Sequence, residues 1–106
     1  DCVYEKMSEL NHKLHQIMAD KAIRYGTICI KIRFEGFITH TRSKSMPTPT
    51  RNENLAKKVI KSLFSEFRTS DKKIRLCGVR FSNLHKNYYN AQRTIFECIE
   101  SVEIQA

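Results

Sequence analysis

Apolar residues recur at Val3, Met7, Leu10, Leu14, Ile17, Met18 and Tyr25, mostly in steps of three and four. That spacing draws one stripe along a helix. Asp1 stands where an N-cap belongs and Gly26 where a helix stops, so a single amphipathic helix is predicted over residues 3–25. From Thr27 the period drops to two. Ile28, Ile30, Ile32 and Phe34 alternate with Cys29, Lys31, Arg33 and Glu35, which predicts a strand with one apolar face and one polar face. Gly36 punctuates, and a second alternating run follows through Met46. There His40, Arg42 and Lys44 share one face, and threonines and serines share the other. So short a connection makes the two runs an antiparallel hairpin.

Pro47 and Pro49 hold the next segment extended. Thr50 and Glu53, three apart, read as a capping box that opens a second helix. Its predicted buried face is Leu55, Val59, Ile60, Leu63, Phe64 and Phe67, with Lys57, Lys58 and Lys61 outside. A third strand is predicted over residues 73–83. In it Ile74 and Leu76 share one phase and Val79 and Phe81 the other, so Gly78 is expected to be a bulge. Residues 85–106 show no clear period and read as a tail. The expected fold is α+β: an antiparallel sheet of three strands with two helices on one face, forming a domain over residues 1–84.

Charge sharpens this picture. The 106 residues carry a net charge of +8. Residues 27–51 and 71–90 each hold five bases against one acid, whereas residues 91–106 hold one base and three acids. The excess therefore lies in the hairpin, the second helix and the third strand, and it suggests a polyanionic partner: nucleic acid first, an anionic membrane surface second. No apolar run approaches 18 residues, so no membrane span is expected. The cysteines at positions 2, 29, 77 and 98 have neither zinc-site nor disulfide-framework spacing and read as reduced thiols of a cytoplasmic protein. No metal is expected from the four scattered histidines. There is no carboxylate cluster, Gly-rich loop or activated nucleophile, so no catalytic residue is expected in this chain.

The candidate site is a basic sheet face of Lys31, Arg33, His40, Arg42, Lys44, Arg75 and Arg80, read as strand positions opposite the inward apolar residues. Cations interleaved with Thr and Ser hydroxyls suit phosphate contacts. Aromatic residues are missing from this expected face, which argues against base stacking.

Residues 26–47 (GTICIKIRFEGFITHTRSKSMP) and 74–84 (IRLCGVRFSNL) resemble the C-terminal little finger domain of Y-family DNA polymerases, the translesion enzymes of the DinB group. The resemblance covers residues 1 to about 84 and rests on the strand ending F-x-x-x-T-R-S-x-x-x-P and on the IR-x-x-GVR-F-S block. It implies a four-stranded sheet with two helices on one face and primer–template duplex against the other. It also implies catalysis, with magnesium, in palm, fingers and thumb domains of the same polypeptide, and no cofactor in this fragment. Arg42 and Lys44 match the T-R-S strand; Arg75 and Arg80 match the IR and GVR positions. The family's domain begins with a strand before the first helix, so here a bare sheet edge is expected, open to completion by a partner molecule or a dimer. In the tail, Gln92, Ile95 and Phe96 resemble a sliding-clamp-binding peptide; packing of Ile95 and Phe96 on the domain is the equal alternative. Two other functions stay open from the sequence: an RNA-binding α+β domain and a structural dimerisation module.

Overall fold

A computed structural model describes residues 2–67, 72–86 and 98–103. The first apolar stripe forms helix α1 (Cys2–Asp20), which ends earlier than its periodicity suggests. The amide of Lys21 donates to the Ile17 carbonyl at 3.2 Å and that of Ala22 to Ala19 at 3.2 Å. Ala22 then takes a left-handed φ of 55° and turns the chain into β1 (Ile23–Phe34). Tyr25 is thus a strand residue and Gly26 is not a helix stop. The hairpin continues with β2 (Ile38–Thr50), followed by α2 (Glu53–Phe64), a 3-10 turn (Ser65–Phe67), β3 (Ile74–Lys86) and β4 (Cys98–Glu103).

The strands form one sheet in the order β2-β1-β3-β4, with every neighbouring pair antiparallel. Both helices contribute to a single core: Met7, Leu14 and Met18 from α1 and Ala56, Ile60 and Phe64 from α2 meet Ile28, Ile30, Ile32, Val79 and Phe81 of the sheet. The architecture is the α+β one expected, with helices on one face. The sheet has a fourth strand, however, drawn from the segment that reads as a tail. β4 pairs with β3 from Leu76↔Glu103 to Phe81↔Cys98, so the edge expected to be bare is covered there. Its sequence, CIESVE, is short and does not alternate cleanly, so its place in the sheet comes from pairing rather than from a local pattern.

Helix α2 begins differently from the expected capping box. Asn52 is the N-cap, its side-chain oxygen accepting from the Leu55 amide at 3.1 Å, while the Thr50 hydroxyl accepts from the Asn52 amide at 3.2 Å. Ala56, Val59, Ile60 and Phe64 are buried, Leu63 is half-buried and Leu55 is exposed, so the buried stripe is rotated slightly from the one expected. The β3 irregularity also moves. Arg33 pairs with Leu76 but Phe34 with Ile74, which makes Arg75 the extra residue; Gly78 pairs regularly with Lys31. Cys77, Val79 and Phe81 then keep one phase toward the core.

At the far end, Tyr25 and Ile28 both face inward three residues apart, and so do Phe81 and Leu84. Gly26 and Asn83 absorb the mismatch, Asn83 with φ 55°. A Cβ on Gly26 would stand 3.2 Å from the Asn83 Cβ, which is why the smallest residue sits there. The core also holds a polar group. The His15 Nδ1 lies 2.9 Å from the Asn11 carbonyl and its Nε2 2.8 Å from the Tyr25 hydroxyl, which in turn lies 3.2 Å from the Asn52 carbonyl.

Candidate nucleic-acid interface

Residues directly opposite one another in an antiparallel pair project to the same face. Ile28, Ile30 and Ile32 are buried beneath the helices, and their β2 partners are Lys44, Arg42 and His40. Those three bases therefore lie on the helix side of the sheet, contrary to the sequence expectation. Side-chain contacts agree. The His40 ring meets Phe34 and Phe67 with centroids 5.7 Å apart in each case. The Arg42 guanidinium sits 5.2 Å from the Phe67 ring centroid and donates to Glu66 Oε2 through Nε at 3.1 Å and Nη2 at 2.9 Å. Its Nη1 donates to the Thr41 carbonyl at 2.8 Å. The Arg42 hydrogen bond holds the Glu66 carboxyl below its ordinary pKa and raises that of Arg42. Lys44 is exposed at the rim of this side.

The helix-free face is built from the alternate positions. β1 supplies Thr27, Cys29, Lys31 and Arg33; opposite them β2 supplies Ser45, Ser43, Thr41 and Thr39, and β3 supplies Ser82, Arg80, Gly78 and Leu76. Of the expected site residues, Lys31, Arg33 and Arg80 come together here, and Arg75 sits in the bulge beside them. Cys29 is buried, its thiol 3.6 Å from the Ile30 carbonyl, and so packs as a small apolar residue between Ser43 and Arg80. The Asn83 amide donates to the Thr27 hydroxyl at 3.1 Å, fixing one end of the hydroxyl array.

Sequence reasoning gives this face the β2 bases, whereas the register gives it the β2 hydroxyl row. That reasoning also passed over Arg24 and His85, which pair with one another across β1 and β3 and are both exposed. Arg24 alternates with the buried Ile23 and Tyr25, so it extends the helix-free face. Both were hidden by assigning residue 24 to a helix and residue 85 to a tail. Gln92, Ile95 and Phe96 lie outside the described residues, in the segment that links β3 to β4. Among the described residues no three His, Cys, Asp or Glu side chains gather into a metal site, and no helix is long and apolar enough to cross a membrane.

Both described helices thus lie on one side of the sheet, and cations and hydroxyls share the other. Residues 2–95 match the impB/mucB/samB family C-terminal domain, and the chain belongs to that family: it is a C-terminal domain of the Y-family polymerase type. It is 31% identical over 78 residues to a DNA polymerase IV of Methanoculleus marisnigri, covering 74% of this chain and 21% of that protein. A DNA polymerase IV of Staphylococcus saprophyticus is 28% identical over 97 residues, covering 92% of this chain and 27% of the relative. A DNA polymerase IV 2 of Methanosarcina mazei is 32% identical over 77 residues, covering 73% and 21%. The chain thus spans between a fifth and somewhat over a quarter of the length of these relatives.

Proposed function

We propose that the helix-free face grips primer–template duplex through its backbone phosphates, as the DNA-binding part of a translesion polymerase acting in DNA repair. The single observation that carries this reading is the gathering of Lys31, Arg33 and Arg80 among Thr27, Thr39, Thr41, Ser43, Ser45 and Ser82 on the sheet face opposite the described helices. Cations supply charge, and hydroxyls supply donors at fixed spacing. Neither arrangement reads a base edge, so such a face tolerates distorted templates. Nucleotidyl transfer, with its magnesium, belongs in this reading to palm, fingers and thumb domains of the parent polypeptide. A sliding clamp joins the partners if Gln92, Ile95 and Phe96 act as its peptide. A dimer through the outer edge of β2 is disfavoured by Pro47 and Pro49, which cannot donate to a further strand.

Duplex affinity should be independent of sequence and fall linearly with salt on logarithmic axes, each phosphate contact adding about 0.9 to the slope. Arg80→Ala should lower that slope by about one. Arg42→Ala should leave it unchanged, because that guanidinium is engaged by Glu66 on the other side. A flat salt response, a strong sequence preference, or a slope that follows Arg42 and ignores Arg80 would overturn the reading. Preference for duplex RNA over duplex DNA would favour the RNA-binding alternative.

A further inference from the structure

The tip of the β1–β2 hairpin carries an aromatic ring that the fold does not use. Phe37 is 83% exposed, the most exposed of the large hydrophobic residues described. It follows Gly36 (φ 85°) and itself has φ 63°, a left-handed conformation that a bulky side chain adopts only under strain. The turn is closed by its amide, which donates to the Phe34 carbonyl at 3.2 Å. The Arg33 guanidinium, from the helix-free face, lies 5.7 Å from the ring centroid. Strain of this kind persists where surrounding structure imposes it, and it gathers at sites that contact ligands.

The surroundings indicate the ligand. The Glu35 amide donates to the Lys73 carbonyl at 2.9 Å, and the Lys73 amide donates to the Glu35 carboxylate at 3.2 Å. These two bonds bring the exposed Lys72 and Lys73 beside the tip and engage its Glu35 carboxylate. An exposed ring beside an arginine and two lysines, at the end of a phosphate-binding face, complements a nucleotide: a flat apolar base attached to an anionic backbone.

We propose that Phe37 stacks on an unpaired base where single-stranded template leaves the duplex, with Arg33 and the Lys72–Lys73 pair on the adjoining phosphates. The proposal rests on the duplex-binding reading and adds a second, single-stranded element to it. It also alters the sequence expectation that stacking has no aromatic available: the turn carries one to the border of the face.

The test compares three DNA probes with the 106-residue chain: a blunt duplex, the same duplex with a short single-stranded overhang, and that overhang made abasic. Wild type should bind the overhang with bases about five-fold or more tighter than the abasic one, since stacking on an aromatic side chain is worth that much. Phe37→Leu should abolish the difference and leave blunt-duplex affinity unchanged; Phe37→Tyr should keep it. The sequence contains no tryptophan, so Phe37→Trp installs a single reporter whose fluorescence should be quenched by the overhang with bases and not by the other probes. Phe37→Gly, which suits the left-handed turn, should keep the fold and lose the preference. Equal binding of base-bearing and abasic overhangs, or a preference that survives Phe37→Leu, overturns this inference while the salt-dependent duplex reading stands. Absence of binding to all three probes overturns both.

Discussion

Phe81→Ala should destabilise the domain by about 3–5 kcal/mol, the cost of truncating a buried aromatic residue together with the cavity it leaves. Phe81 is fully buried and lies where three layers of contact converge. Its ring packs edge-on against His15 at 5.1 Å and tilted against Tyr25 at 4.5 Å, and its backbone pairs with Ile28 on one side and Cys98 on the other. A domain of this size has a total stability of about 5–15 kcal/mol, so the change consumes a large fraction of it. Leu55→Ala is the informative comparison. Leu55 falls on the buried stripe by spacing alone, yet its side is 38% exposed on α2, and alanine is a good helix former. Its loss should therefore be about 0.5 kcal/mol or less. Urea unfolding of both variants checks the assignment: comparable midpoint shifts for the two would mean that the interior is not where these contacts place it.

Much of the fold is legible in the sequence because it depends on local period. The alternation of Ile28, Ile30, Ile32 and Phe34 marks β1, and the stripe through Val59, Ile60 and Phe64 marks α2, without reference to the rest of the chain. The facing of β2 is another matter. Within that strand the bases and the hydroxyls alternate equally well, and hydrophobicity does not decide which set turns toward the helices. The hairpin register decides it. Phe34 pairs with Ile38 across a three-residue connection, so even-numbered positions meet even-numbered ones and Arg42 falls opposite Ile30. Had the turn contained one residue fewer, the bases would have joined Lys31 and Arg33. The arithmetic was available from Gly36 as the turn residue, but only once Phe37 is taken as part of the turn. Helix-side bases are tolerable at His40, Arg42 and Lys44 because β2 is the edge strand. There Phe67 and Glu66 offer a ring and a carboxylate, and Lys44 reaches solvent.

Other departures arise from contacts far apart in sequence. Tyr25 completes the helical stripe on paper, but its hydroxyl is needed between His15 and the Asn52 carbonyl, which only a strand position allows. Asn52 caps α2 instead of Thr50, and its carbonyl also lies next to the Tyr25 hydroxyl, so the helix start is tied to the interior. β4 carries so weak a pattern that only the exposed donors and acceptors of β3 explain its position. On the candidate interface, the sequence identifies Lys31, Arg33 and Arg80 from strand phase alone. It could not supply the hairpin-tip placement of Phe37, which follows from two consecutive left-handed residues.

Stability should fall as pH drops below about 6.5, and His15 should be the reason. The ring is almost fully buried, and its Nδ1 faces the Asn11 carbonyl, an acceptor, so Nδ1 carries the proton in the neutral tautomer. The one Tyr25 hydroxyl proton is then shared between Nε2, at 2.8 Å, and the Asn52 carbonyl, at 3.2 Å. Burial lowers the His15 pKa, partly opposed by the Asn11 hydrogen bond and by Glu53; His12 and Arg51, both cationic when protonated, add to the lowering. Because the folded pKa lies below the unfolded one, the unfolded chain takes up a proton first as pH falls. Folding therefore weakens from about pH 6.5 down to the depressed folded value and changes no further from this group below it. Tyr25 is raised by burial, so it remains a neutral donor throughout this range. Glu66, held low by Arg42, loses its contribution only in a more acidic window, below the ordinary carboxylate pKa. His15→Leu should cost about 1–3 kcal/mol at neutral pH, from the lost hydrogen bonds and ring contacts. It should also flatten the dependence between pH 6.5 and the acidic carboxylate window, leaving the lower limb intact. Unfolding midpoints of wild type and variant across that range separate the two effects. A wild-type curve that is level through the histidine window, or one that keeps its slope in His15→Leu, would remove His15 as the sensor and leave only its packing role.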